Sequence, residues 1–463
     1  RLALMALVLI VSCSDVPTNE PNIIAPTDTL TVSPAIPAYL PVPTQEQIEW
    51  QNGEFYILVC FGINTFTGNE WGDGTEDPAL FNPANFDANQ WVRVAKMGGC
   101  KGLIVIAKHH DGFALWRTNT TKYSLEHSPW KDGKGDVIYD AAQACNKGGL
   151  KFGVYMSLWD QHEASFNTAQ YDEVFVAQIS ELLTNYGSVF EMWFDAANGS
   201  GIPTNYDIYR YYRVMREIQP KVLRASCGPD IRWVGNEDGT APETLWSAVS
   251  STHWYPAECD VSIRPGWFWR KEEDSKVKTA EKLVDLYFSS VGKNSVLLLG
   301  VPPNRDGLIA ESDAKSLESF RKRLDNIFAV NLAADCVAKA GNIRLSQVGW
   351  SAQRVVDGNT ETYWTSDDSV KSSWLEIDLH RVVQLNTIDL REAIRYGQRV
   401  EAYRIEAFIN NAWVIIDRGT TIGNRKLDRI STVRTNKVRL IIESSKANPV
   451  ISEFGLYADP YRI

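Results

Sequence analysis

The run Phe190-Glu191-Met192-Trp193-Phe194-Asp195-Ala196-Ala197-Asn198-Gly199 is apolar up to one carboxylate and then breaks into a turn. Its length and the Asn-Gly-Ser-Gly that bounds it predict a buried strand, with Asp195 as the last side chain before the turn. At the C-terminal mouth of a parallel α/β barrel, that is where catalytic groups stand. Asp195 is therefore the candidate nucleophile. An aspartate that only caps a turn is the plainer reading, and the surrounding sequence has to decide between the two.

Working outward, strand-like runs are predicted at 56–63, 103–107, 152–158, 190–194, 222–225, 244–249 and 296–299. Helical patterns fall between them at 88–97, 137–147, 169–186, 206–219 and 276–291. Regular alternation of strand and helix argues an α/β fold, a (β/α) TIM-like barrel. A doubly wound open sheet is the competitor, but no Gly-rich phosphate turn follows the first strand. An amphipathic segment at 312–332 leads out of the barrel. Beyond residue 336 the texture changes to short strands at 374–379, 385–391, 403–408, 412–416, 437–442 and 451–457, which predict an all-β jelly-roll sandwich. The expected organisation is a signal segment over 1–13, a disordered tether over 14–42, a catalytic barrel over 43–335 and a sandwich over 336–463.

A chain of 463 residues exceeds one ordinary domain, and 44% hydrophobic residues with 16 Trp suffice for a large core and aromatic clefts. The net charge of -10 is spread without long blocks, which excludes a polyanion-binding class. Leu2 to Cys13 form an apolar stretch too short to span a bilayer. Ile10-Val11-Ser12-Cys13 resembles a bacterial lipoprotein signal, so Cys13 is expected to be lipidated and to tether an exported enzyme, periplasmic or cell-surface, to a membrane. The Pro-, Thr- and Asn-rich residues after it read as linker. Cys60, Cys100, Cys145, Cys227, Cys259 and Cys336 show no CxxC or zinc spacing and are expected mostly as small buried hydrophobes.

The strand ends are rich in polar and aromatic groups. Glu70-Trp71-Gly72 follows the first, His109-His110-Asp111 the second and Trp159-Asp160-Gln161-His162-Glu163 the third, with Trp233-Val234-Gly235-Asn236-Glu237 and Trp254 to Trp267 further on. Tryptophans among carboxylates and histidines suit a sugar, whose C–H face packs on an aromatic while its hydroxyls need fixed partners. Adjacent His109 and His110 invite a metal, but no HExxH or third-ligand spacing accompanies them, and neighbouring strand residues point to opposite faces. Hydrogen bonding to hydroxyls is the expected role. Glycoside hydrolysis with retention needs two carboxyl groups about 5 to 5.5 Å apart. Glu237, in a Gly-Asn-Glu-Asp-Gly turn, is placed to partner Asp195, with Glu70, Glu163 and Glu258 as rivals that spacing does not rank.

Taken together, Asn64-Thr65-Phe66-Thr67 with Glu70-Trp71-Gly72, Lys108-His109-His110-Asp111-Gly112-Phe113, Trp193-Phe194-Asp195, Trp233-Val234-Gly235-Asn236-Glu237 and Pro302-Pro303-Asn304-Arg305-Asp306-Gly307 resemble the α-L-fucosidases of glycoside hydrolase family 29. Val234 to Glu237 and Ala257 to Ser262 look like the subgroup that prefers α-1,3/4-linked fucose on branched, Lewis-type glycans. The resemblance implies a retaining, exo-acting double displacement with Asp195 as nucleophile and Glu237 as acid/base. It further implies that His109 and His110 bind fucose, with Glu70, Trp71 and Trp159 lining the same pocket and Asp160 and Trp267 as further binding residues; His162 is a candidate ligand around which binding rearranges if Cys60 replaces a histidine. One departure is Cys60, where the family commonly has a His; a thiol is a poor partner for a sugar hydroxyl.

Val356-Asp357-Gly358-Asn359-Thr360-Glu361-Thr362-Tyr363-Trp364, Trp374 to Leu379 and Ile451-Ser452-Glu453-Phe454 resemble the discoidin-like, coagulation factor five/eight type C domains, similar to carbohydrate-binding modules of family 32. That likeness implies a structural calcium held by Asp357, Asn359, Thr362 and Glu453, oxygen ligands of the hard kind calcium prefers. No cofactor is expected for catalysis, and the expected partner is a fucosylated oligosaccharide, not a nucleic acid. Two other readings compete: a glycan-binding protein whose barrel has lost turnover through Cys60, and a related retaining hydrolase such as an α-galactosidase on the same barrel.

Overall fold

The computed structural model describes residues 35–199 and 204–462. The signal segment with Cys13, and the tether as far as residue 34, lie outside the described residues. Eight strands, β1 (Phe55–Val59), β2 (Gly102–Lys108), β3 (Lys151–Ser157), β4 (Glu191–Asp195), β5 (Leu223–Ser226), β6 (Ile231–Trp233), β7 (Ala257–Ser262) and β8 (Ser295–Gly300), form a closed barrel in chain order. All neighbours are parallel, and β8 closes on β1. Eight helices accompany them: α1 (Gln45–Gly53), α2 (Ile63–Thr67), α3 (Ala88–Met97), α4 (Val137–Gly148), α5 (Ala169–Asn185), α6 (Ile208–Ile218), α7 (Ala280–Ser290) and α8 (Glu311–Ile327).

Strand periodicity decides what reaches the mouth. Phe55, Ile57 and Val59 of β1, and Met192 and Phe194 of β4, belong to the core between barrel and helices. Tyr56, Leu58, Ile104, Tyr155, Trp193 and Leu298 fill the barrel itself. Side chains alternate along a strand, so β4 sends Glu191, Trp193 and Asp195 inward, with Asp195 at the upper end.

Three expectations are corrected here. Residues 244–249 form no strand; they belong to the connection between β6 and β7. β6 and β7 went unread because β6 has only three residues and β7, Ala-Glu-Cys-Asp-Val-Ser, buries two carboxylates in the barrel. The amphipathic segment stops at Ile327, the end of α8.

The C-terminal domain is an antiparallel sandwich of β9 (Val337–Ala340), β10 (Trp364–Thr365), β11 (Ser373–Glu392), β12 (Val400–Ile409), β13 (Ala412–Gly419), β14 (Lys426–Ser445) and β15 (Val450–Tyr457). β11 joins the two strands expected at 374–379 and 385–391, with register shifts between Asp378 and Val383 and between Leu385 and Thr387. Its core gathers Trp364, Leu375, Ile377, Leu390, Tyr403, Leu440 and Phe454.

The tether is also corrected at its end: residues 35–42 pack on the sandwich. Ile36 is buried with Trp350, Ala393 and Val450. Arg399 Nη2 donates to the Pro37 carbonyl at 2.6 Å and Tyr39 N–H to the Tyr396 carbonyl at 2.9 Å. Gly397 permits the approach: its φ is +94°, and a Cβ there would stand 2.0 Å from the Tyr39 carbonyl oxygen.

Barrel and sandwich are joined through buried charge. Arg425 donates to Glu54 Oε2 at 2.9 Å, to the Tyr287 hydroxyl at 2.7 Å and to Asp389 Oδ2 at 2.7 Å. Burial alone would raise the Glu54 carboxyl, but Arg425 and Arg391 bring it down to about 2. Removing one partner of a buried ion pair strands the others. Arg425→Ala is expected to cost about 3 kcal/mol in denaturant unfolding; a loss under about 1 kcal/mol would contradict this reading of the junction.

Candidate active site

Asp195 closes β4 with its side chain 24% exposed at the barrel mouth. The Tyr155 hydroxyl donates to its Oδ2 at 2.5 Å, and the Ala197 N–H donates to Oδ1 at 2.7 Å. Burial, followed by the Asp195 charge, pushes the Tyr155 hydroxyl well above its usual range, so the proton stays on the phenol. Tyr155 stacks on Trp193 with centroids 5.4 Å apart, and Trp193 Nε1–H donates to Glu258 Oε2 at 2.8 Å. The carboxylate is thus oriented on both oxygens and left open on the mouth side.

The two histidines lie just past β2, in a turn, and their ring centroids are only 4.0 Å apart. Their expected opposite facing therefore does not hold, because they follow the strand rather than continue it. Hydrogen bonding fixes their tautomers. Ser157 Oγ donates to the Trp159 carbonyl at 2.6 Å and lies 2.7 Å from His110 Nδ1, so His110 carries its proton on Nδ1. Its Nε2 is left as an acceptor 3.8 Å from Asp195 Oδ2. Asn64 Nδ2 donates to the Glu70 carbonyl at 3.1 Å and faces His109 Nδ1 at 3.4 Å. An amide nitrogen only donates, so His109 carries its proton on Nε2. Burial, with a contribution from His110, lowers the His109 pKa far below 6.5 and keeps it neutral. Side by side, one histidine donates and one accepts, the pairing a sugar hydroxyl requires.

Aromatic rings form one wall. Trp71, 45% exposed, meets His110 at 5.3 Å and Trp159 at 5.6 Å between centroids, both edge to face. Beside it is a loop-to-loop lock. Glu70 accepts from Arg270 Nη2 at 2.6 Å and from the Trp267 N–H at 2.6 Å, and Trp267 Nε1–H reaches Glu237 Oε2 at 3.4 Å. Glu237 sits in the connection between β6 and β7 at φ +50°, between Gly235 at +91° and Gly239 at +73°. Partial loss of hydration raises its carboxyl above the usual range, the charges of Asp195 and Glu70 add to this, and the Trp267 indole opposes it. The resulting pair is an oriented Asp195 carboxyl and a Glu237 carboxyl shifted toward its acid form.

The rival carboxylates are otherwise engaged. Glu258 is fully buried beneath the mouth on Trp193, Glu163 Oε1 accepts from the Ser165 N–H at 3.0 Å, and Glu70 is paired with Arg270. Two expected sugar ligands have partners within the protein. Asp160 is buried and pairs with the fully buried Lys108 at 2.8 Å, because that ammonium needs a counter-charge. His162 stacks on Tyr123 at 4.1 Å and holds the Gly74 carbonyl through Nδ1 at 2.7 Å, so its ring supports the loop behind Trp71. Cys60 is 1% exposed, packed with Tyr155, Trp193 and Phe268, and burial, then Glu70 and Asp260, pushes its thiol up. It is a wall residue. Tyr155, Arg270 and Asp260 were not read from sequence. Period two gives a signal for Tyr155, which pairs in register with Trp193 two residues below Asp195.

In the sandwich, Thr362 Oγ donates to Asp357 at 2.8 and 2.9 Å and lies 2.9 Å from the Asn359 carbonyl. Glu453 is raised to about 7, chiefly by burial and then by the charge of Asp389, with Asp357 adding to it. This set, two mutually repelling carboxylates with hydroxyl and carbonyl oxygens, fits a hard cation. Among the described residues, no three His, Cys, Asp or Glu side chains converge as a metal group, so neutral oxygens would complete the shell.

A parallel barrel with an oriented aspartate, a glutamic acid shifted toward its acid form and a histidine-tryptophan wall at its mouth defines a glycoside hydrolase. The Alpha-L-fucosidase family model matches residues 44–326, and the F5/8 type C domain model matches residues 338–454. The chain belongs to the α-L-fucosidases of glycoside hydrolase family 29. It is 38% identical over 449 residues to Alpha-L-fucosidase 1 of Arabidopsis thaliana, covering 91% of this chain and 88% of that one. Among solved structures, a putative α-L-fucosidase from Bacteroides thetaiotaomicron superposes with TM-score 0.87 at 33% identity, covering 92% of this chain and 99% of that one. A family 29 fucosidase of Ruminococcus gnavus in complex with fucose superposes with TM-score 0.86 at 30% identity, covering 93% and 98%.

Proposed function

We propose that the enzyme is a retaining exo-α-L-fucosidase that removes α-1,3/4-linked fucose from branched glycans. The observation that carries the mechanism is the contrast between the two carboxyl groups, Asp195 oriented by Tyr155 and the Ala197 N–H, and Glu237 held toward its acid form. In the first step Asp195 attacks the anomeric carbon while Glu237 gives its proton to the departing oxygen. In the second, Glu237 takes a proton from water, which displaces Asp195. His109 donates to one sugar hydroxyl, His110 accepts from another, and Trp71 and Trp159 pack the C–H face. The exo reading is supported by the relative solved in complex with fucose, and the linkage reading by Val234 to Glu237 and Ala257 to Ser262. The test is fucose release from a Lewis-type trisaccharide beside α-1,2- and α-1,6-linked fucosides. Preference for either of the last two would overturn the linkage assignment.

Because Glu237 must be protonated, its raised pKa places the alkaline limb of kcat/KM above that of an ordinary glutamic acid. The Trp267 indole favours the charged form, so Trp267→Phe is expected to move that limb to higher pH. A limb that stays or moves down would contradict Glu237 as the titrating acid.

A structural calcium held by Asp357, Asn359, Thr362 and Glu453 would neutralise the repulsion between the two carboxylates. Calcium at a hundredfold its dissociation constant is expected to add about 2.7 kcal/mol to the sandwich's stability, and Glu453→Gln to abolish the gain. An unfolding curve indifferent to calcium and chelator would refute it. Lipidation at Cys13 is the remaining proposal: Cys13→Ser is expected to release the enzyme from the membrane fraction.

A further inference from the structure

The sandwich reaches the barrel at the chain segment that carries Glu237. Gln398, fully buried, comes from the turn between β11 and β12. Its Oε1 accepts from the Ser247 N–H at 2.8 Å and its Nε2 donates to the Leu245 carbonyl at 3.0 Å. Nε2 also donates to the Thr421 hydroxyl at 2.7 Å, which fixes the amide's orientation within its own domain. Neighbouring residues grip the same segment: Lys426 pairs with Glu243, Thr420 Oγ1 lies 2.6 Å from Thr244 Oγ1, and Lys446 Nζ sits 3.7 Å from the Trp246 ring centroid. The sandwich thus holds residues 243–247, all within the connection between β6 and β7.

The held segment supports the Glu237 turn. Leu245 packs with Ala241, Ala257 and Cys259, and Val234 packs against that cluster. Val234 and Ala241 bracket the turn. The Val234 N–H and the Gly239 N–H donate to β7 at Glu258 and Asp260, at 2.9 and 3.0 Å. A Cβ on Gly239 would stand 2.7 Å from Val261 Cγ1 and 2.9 Å from Leu286 Cδ2, so the turn is seated tightly. Three successive odd-numbered residues at positive φ, one of them Glu237 itself, make a backbone that persists only when its surroundings over-determine it.

We propose that Gln398 is a positioning residue for the acid/base: the sandwich fixes Leu245 and Ser247, and these seat the turn that aims the Glu237 carboxyl at the departing oxygen. The inference rests on Glu237 being the acid. A carboxyl displaced by a fraction of an ångström still leaves Asp195, His109 and His110 in place, so the loss falls on the proton transfers, and kcat/KM reads the first of these, to the leaving oxygen.

The experiment uses the full chain and two substrates, a branched oligosaccharide whose leaving hydroxyl needs protonation and a 2,4-dinitrophenyl α-L-fucoside whose leaving group does not. Gln398→Ala is expected to lower kcat/KM on the oligosaccharide by about tenfold and on the dinitrophenyl substrate by less than about twofold. Gln398→Glu, which keeps the acceptor for Ser247, is expected to fall between. Arg391→Ala loosens the same interface at Glu54, just before β1 and off the connection between β6 and β7, and controls for general destabilisation. It should affect both substrates equally. Equal losses on both substrates for Gln398→Ala, or none, would overturn the proposal provided Glu237→Ala itself shows the selective loss. If Glu237→Ala lacks that selectivity, the acid/base assignment fails first and the proposal falls with it.

Discussion

Asp195→Ala is expected to abolish fucose release, lowering kcat/KM by roughly 10⁴-fold or more on every substrate. The carboxylate closes β4 at the mouth, and both of its oxygens are oriented by donors that stay behind, the Tyr155 hydroxyl and the Ala197 N–H. At this partly open position water can satisfy both donors, so thermal unfolding should change little. The removed carboxylate leaves room for a small anion against the anomeric carbon. Azide should then restore turnover of a dinitrophenyl fucoside in one displacement, giving the fucosyl azide of inverted configuration. A variant that retains more than about 1% of activity without azide would remove Asp195 from the nucleophile's role.

Glu237→Ala has the second largest expected effect, and its signature is selectivity. Loss of a positioned proton donor costs roughly 10²- to 10⁴-fold where the leaving oxygen must be protonated. The branched glycan should show that loss in kcat/KM, while the dinitrophenyl fucoside should lose less than about tenfold, since its phenolate departs unaided. Azide should again accelerate the activated substrate, now with retained configuration, because Asp195 still forms the intermediate and azide replaces only the water. The two rescues therefore distinguish the two carboxyl groups by product stereochemistry. Uniform loss on both substrates would point to a structural role for the Glu237 turn.

The barrel was legible because its outer face is written in long apolar runs. Leu103, Val105 and Ala107, or Met192 and Phe194, leave little choice of structure. β7 was not, because its inward residues are Glu258 and Asp260, and a strand whose alternate side chains are carboxylates reads as a loop unless the barrel around it is already known. Asp195 could be placed by the break after Phe194, a local signal. Period two puts Tyr155 on the inner face, but its role, like that of Arg270, could not be read, since each acts through a partner, Asp195 or Glu70, supplied by a different strand or loop. Asp160, which among aromatic and histidine neighbours reads as a sugar ligand, pairs with Lys108, 52 positions earlier, a partner that local sequence does not reveal. The Pro-rich segment before the barrel misled by composition, for Ile36 and Tyr39 dock on a surface that composition does not contain.

The pairing of Asp195 with Glu237 predicts two displacements at one carbon, and the configuration of the first sugar released reads that number directly. Proton NMR of a Lewis-type trisaccharide during the first minutes of hydrolysis should show α-L-fucose before mutarotation brings in the β anomer. Appearance of β-L-fucose first would mean a single displacement by water and would contradict Asp195 as the nucleophile.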